Sequence, residues 1–339
     1  MERDKSIDIL RGLAILFVIF GHITHIGELR QYIWSFHMPL FFFISGFLFN
    51  RNKYESTRAF LKVKINGLVI PYIFFCLITL LYWILIESRV RSWGMTWYME
   101  VYGIIHGTYS AEYMLFNSAM WFLPCLFSME LLYWFVSKIK STWQIILILL
   151  FTNILGMAAK DYLSWLPWGI NSAMISMIFF GFGNQIRSKT SFWVNLKWYY
   201  WVLTIFVMSS FQWLTFDCLK TEMKALTFEN PFFYIFFAVV GICLYFSLAQ
   251  LIKKNYILEW IGQNTLVLFA LQEPVYRAII YSFAKLLRIE VELVRKDICL
   301  NVLCTCVTVI VIVPFIFAYN KYIRNNLKKF GTLLCKKFL

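Results

Sequence analysis

Ten long apolar runs follow one another along the chain, at 6–26, 34–50, 65–86, 118–137, 142–159, 169–186, 198–216, 231–252, 257–273 and 298–320. A bilayer span needs about 20 mostly apolar residues, so each run is a candidate membrane helix. The second, sixth and ninth are short. The ninth has an alternative course, past Pro274 toward Leu287 as a kinked or broken helix. No internal repeat or low-complexity linker is apparent in the pattern. The expected fold is all-α, a polytopic membrane protein with about ten spans. A single domain over 1–339 is expected, ending in a basic tail at about 321–339.

Composition supports this class. Apolar residues make up 60% of the 339, and only 15% are charged, against about a quarter in soluble domains. Disorder is excluded by the same figures. The net charge of +14 would suit nucleic acid in a soluble protein, but here it is sorted by segment. With the N-terminus inside, inner segments hold 20 basic and three acidic residues, outer segments 11 basic and 12 acidic. That bias places both termini in the cytoplasm. The inner basic face suits anionic lipid or a phosphorylated ligand. Nucleic acid is not an expected partner.

The N-terminus shows no small-residue cleavage site and reads as a retained first helix. The eight cysteines form no CxxC pair and read as small apolar residues.

Ionisable residues at membrane depth are costly and point to function. The first span holds Asp8, Arg11, His22 and His25. Eleven helical steps bring Arg11 and His22 to within roughly 20° of one face, about 16 Å apart along it. Arginine suits phosphate, and histidine is the usual general base near neutral pH. Together they suit an acyl-CoA, with its diphosphate at one end and thioester at the other. The plainer alternative has Arg11 snorkelling and paired with Asp8, and His22 bonded to a carbonyl or headgroup. His37 enters the second span after an expected outer loop at 27–33, with Pro39 near that helix's start. His22, His25 and His37, three of the four histidines, are then expected at one depth. No carboxylate or thiolate at ligand spacing joins them, which favours catalysis over a metal site.

Arg11, followed after ten residues by His22, then Phe36-His37-Met38-Pro39-Leu40-Phe41-Phe42-Phe43-Ile44-Ser45-Gly46, resembles the acyltransferase-3 family of bacterial membrane acyltransferases. Met120-Trp121-Phe122-Leu123-Pro124, Gly181-Phe182-Gly183 and Ile261-Gly262-Gln263-Asn264-Thr265 extend the likeness. The resemblance implies a multi-pass protein of the bacterial cytoplasmic membrane. It implies transfer of an acyl group, most often acetyl, from acyl-CoA to a hydroxyl of a surface polysaccharide or its lipid-linked precursor. It also implies an essential His22 and Arg11, with His37 in support. Gln272 stands where family members often have a histidine, which leaves that histidine's role open here.

Further candidates follow from chemistry and depth. Trp121 offers a sugar-stacking face or an interfacial anchor. Asn171 and Gln272 lie near the outer side and suit acceptor hydroxyls. Asn264, nearer the inner side, suits the donor or a bond to another helix. Glu130 lies mid-span, where a structural hydrogen bond is favoured over a proton relay. The rival reading is a transporter of an anionic or glycan-linked solute, though paired helix interruptions of the kind transporters show are not evident.

Overall fold

The computed structural model describes residues 4–90, 96–110, 112–163, 166–188, 197–214, 221–223, 226–228 and 230–338. Cys218 and part of the expected outer segment 217–230 lie outside the described residues. Helices dominate: α1 (Lys5–Ile23), α2 (Gly27–Leu48), α3 (Thr57–Val90), α4 (Trp97–His106), α5 (Phe122–Val136) and α6 (Thr142–Ala158). They continue as α7 (Ile170–Ser188), α8 (Trp198–Leu214), α9 (Pro231–Ile252), α10 (Tyr256–Gln263), α11 (Thr265–Leu287), α12 (Val291–Lys296) and α13 (Ile298–Cys335). A two-residue antiparallel ladder, β1 (Thr221–Glu222) with β2 (Thr227–Phe228), is the only described exception to an all-helical chain.

Among the described residues, five helices are long and apolar enough to cross a membrane: α1, α3, the stretch Ser118–Val136 that contains α5, α9 and α13. Their outward faces are apolar. Leu77, Leu81, Ile310 and Phe317 are each more than half exposed, a pattern that suits lipid and not water. The other five expected segments are helical too, as α2, α6, α7, α8 and the pair α10–α11.

Three local expectations are corrected. α2 begins at Gly27, so 27–33 is its first two turns and not a loop. Its polar opening, Gly-Glu-Leu-Arg-Gln, masks the helix from hydropathy. Pro39 therefore lies inside the helix, where it removes one backbone bond. α1 ends at Ile23, with Thr24 already extended, so His25 leaves the helical face shared by Arg11 and His22. The ninth span takes its alternative course: the chain breaks at Asn264, and α11 then runs through Pro274 to Leu287.

The helices sort into two compact units. The first holds Met1–Phe49, Ile178–Phe269 and Ala278–Thr308, the second Asn50–Met177, Ala270–Arg277 and Val309–Leu339. In the first, α1 and α10 touch backbone to backbone. A Cβ on Gly262 would lie 1.9 Å from the Asp8 carbonyl oxygen, and one on Gly12 would lie 2.3 Å from that of Leu258. Only glycine permits this approach. α2 meets α7 the same way, through Gly46 against the Phe180 carbonyl and Gly183 against that of Phe43. The Ser45-Gly46, Gly181-Phe182-Gly183 and Ile261-Gly262 stretches thus carry packing.

In the second unit, α3 runs 34 residues, about 51 Å, well beyond a hydrocarbon core of about 30 Å. The basic tail is helical as well, over Arg324–Phe338. It packs on α3, where a Cβ on Gly331 would touch Asn66.

Candidate functional site

The first unit brings His22 and His37 together. His22 is the penultimate residue of α1, and His37 lies in the middle of α2. Their ring centres are 6.5 Å apart and nearly perpendicular. A ring nitrogen lies about 1.1 Å from its centre, so the nitrogens are no closer than about 4 Å, beyond direct hydrogen bonding. Trp34 stands beside His22, ring centres 6.4 Å apart, with its indole N–H on the Gly21 carbonyl at 3.2 Å and the Arg30 guanidinium 4.0 Å above its ring.

His37 is buried, and its Nδ1 lies 2.8 Å from the Ile33 carbonyl oxygen. A carbonyl only accepts, so Nδ1 carries a proton. In the neutral ring Nε2 is then the acceptor. His37 in that form accepts a hydrogen bond and offers no donor to an oxyanion.

Arg11 is half-buried on the same continuous helix as His22, so the spacing of about 16 Å stands. Asp8 is buried and accepts from Gln263 Nε2 at 3.2 Å. Asn264 ends α10, and its Nδ2 donates to the Trp260 carbonyl at 2.8 Å. That bond gives its amide a local structural task at the helix break. His25 is separated from the pair: its Nδ1 bonds Glu292 at 2.9 Å. Burial and Arg295 hold its pKa below the ordinary 6.5, and the His25 hydrogen bond lowers that of Glu292. Among the described residues, no group of three or more His, Cys, Asp and Glu side chains is arranged to hold a metal ion.

The second unit contains Trp121, Asn171 and Gln272. Trp121 closes the short helical turn Ser118–Trp121 and is buried, its ring edge-on to Phe122 at 6.3 Å. An interfacial anchor would be exposed, so that reading is set aside. Asn171 is buried at the start of α7. Gln272 is fully buried, and neither its Oε1 nor its Nε2 has a hydrogen-bond partner among the described residues. An unpaired buried polar group costs about 1–3 kcal/mol. Glu130 is paired with Lys64 at 2.8 Å.

Three further residues complete these surroundings. Glu273 accepts from the Ser118 hydroxyl at 3.1 Å, the Ala119 N–H at 2.8 Å, and Arg277. Arg277 also reaches Glu87 at 3.3 Å and the Phe116 carbonyl at 2.9 Å. The i,i+4 spacing of Glu273 and Arg277 inside an apolar helix was the available signal. In the first unit, Arg295 donates from Nη2 to the His22 carbonyl at 2.6 Å and from Nε to that of Ile23 at 3.0 Å. It lies 273 residues from His22, and no local pattern announces the contact.

A family model described as an acyltransferase domain matches residues 4–317. No curated protein and no solved structure matches this chain. A match over nearly the whole length, on a chain of several membrane-crossing helices, establishes a multi-pass membrane acyltransferase: the chain belongs to the acyltransferase-3 family.

Proposed function

We propose that the protein is an O-acetyltransferase that moves acetyl from cytoplasmic acetyl-CoA to a hydroxyl of a surface polysaccharide or its lipid-linked precursor. It would cross the bacterial cytoplasmic membrane ten times, with both termini inside. The pairing of His22 with His37, on a helix that carries Arg11 about 16 Å away, is the observation behind this reading. Arg11 and inner lysines meet the donor's phosphates. His22 takes the proton of the acceptor hydroxyl. The freed oxygen attacks the thioester carbonyl, and the tetrahedral intermediate collapses. CoA leaves as thiolate and receives the proton from His22.

His37, with Nδ1 tied to the Ile33 carbonyl, presents Nε2 as an acceptor. This favours holding the acceptor hydroxyl or orienting His22 over stabilising an oxyanion. Gln272, with neither amide atom partnered among the described residues, is the best supported of the three proposed acceptor-binding side chains, ahead of Trp121 and Asn171. The transporter reading gains nothing from a family of acyltransferases.

Mass spectrometry of the surface glycan from cells with and without the gene tests this proposal. The expected difference is one acetyl group on a defined sugar. Identical glycan masses in the two strains would refute it.

A further inference from the structure

We infer that Arg295 is a positioning residue for His22, fixing the end of α1 by clamping its last carbonyls. The inference rests on the reading of His22 as the catalytic base. The last carbonyls of a helix have no partner within it and leave the final turn prone to fray. His22 is the penultimate residue of α1, so the imidazole is only as well placed as that turn. Thr24 N–H closes on the Phe20 carbonyl at 2.9 Å. The carbonyls of His22 and Ile23 are taken side-on by one edge of the Arg295 guanidinium, from Nη2 at 2.6 Å and Nε at 3.0 Å.

Arg295 is itself held. Its carbonyl accepts from His25 N–H at 2.8 Å and from Asn301 Nδ2 at 3.0 Å. Asn301 Nδ2 also donates to the Thr24 hydroxyl at 3.0 Å, and both residues are fully buried. The closed ring of bonds runs from α1 through Thr24 to Asn301 and Arg295 and back to His22. A planar fork serves two successive carbonyls at once. An ammonium group, with no fixed fork, cannot hold both in this geometry. Displacing a reacting group by about 1 Å can cost on the order of 10²-fold in rate, so such a clamp acts on turnover more than on binding.

The test is R295K, assayed for acetyl transfer with acetyl-CoA and crude surface glycan from the same cells. We expect kcat to fall about tenfold or more. KM for acetyl-CoA should stay within about twofold, with an unchanged melting midpoint in detergent. Wild-type kcat in R295K overturns the inference. So does a loss shared between kcat and KM together with a lowered midpoint, the mark of a merely structural contact. Should R295K fail to accumulate, Asn301→Ser carries the test: a smaller fall in kcat at constant KM supports the clamp, and wild-type kcat overturns it. His22→Ala separates the two levels. If that variant retains transfer, the reading of His22 fails. If it is inactive while R295K turns over normally, only the clamp fails.

Discussion

The end of α1 and the turn that opens α5 hold polar groups within apolar helices in different ways. Around Ser118–Trp121 the charges are matched to one another. Glu273 meets Arg277, and Arg277 meets Glu87. Around His22 the side chains of His37, Trp34 and Arg295 are anchored on main-chain carbonyls. His37 donates to Ile33, Trp34 to Gly21, and Arg295 to His22 and Ile23. A charge matched by a charge is fixed and neutralised. A ring anchored by one nitrogen to a carbonyl keeps the other for a second partner. The first arrangement builds a scaffold, and the second suits a site where protons move.

Breaking the matched region should cost most in stability. Arg277→Met leaves Glu273 and Glu87 without their shared cation, and removing one partner of a buried pair costs about 3–5 kcal/mol. We expect a strongly reduced yield of folded protein, seen as loss of the monodisperse peak in detergent chromatography. A wild-type yield would mean that the network is not structural.

Next in size is the α1–α10 contact. Gly262→Ala sets a methyl against the Asp8 carbonyl, and such overpacking costs about 1–3 kcal/mol. The expected result is a lowered melting midpoint, and lowered transfer as well, because α1 carries Arg11 and His22. An unchanged midpoint would contradict the contact.

The smallest effect concerns the His25–Glu292 pair, in which His25 is half-buried and Glu292 exposed. His25 has its pKa lowered in the folded chain. As pH falls below 6.5, the unfolded chain binds the proton first, and stability is lost until the folded histidine also titrates. Glu292, also lowered, adds a loss only below the ordinary carboxylate range. For a pair with one exposed partner the effect should stay within about 1 kcal/mol. His25→Gln should flatten the melting midpoint between pH 7.5 and 5.0. An equal acid dependence in the variant would place its source elsewhere.

Helix arithmetic made Arg11 and His22 legible, because α1 is continuous between them. The neighbouring His37 was legible for a reason that needed correction. The link is three residues, Thr24–Ile26, and not the longer loop expected, because the polar first turns of α2 hide a helix from hydropathy. His25 was misplaced by assuming that α1 continued past Ile23. Glu273 and Arg277 stood at readable spacing but fell on either side of Pro274, where the span seemed to end. Arg295 could not be read at all: among the basic residues of the outer segments it is one of several, and only the fold brings it to the His22 carbonyl.

In the proposed mechanism His22 carries the transfer. Its most direct measurement is acceptor-dependent CoA release from acetyl-CoA, comparing membranes that hold equal amounts of wild-type and His22→Ala protein. The account predicts release by the wild type only when acceptor glycan is present, and a loss of about 10² or more in the variant. Wild-type release by His22→Ala would contradict it.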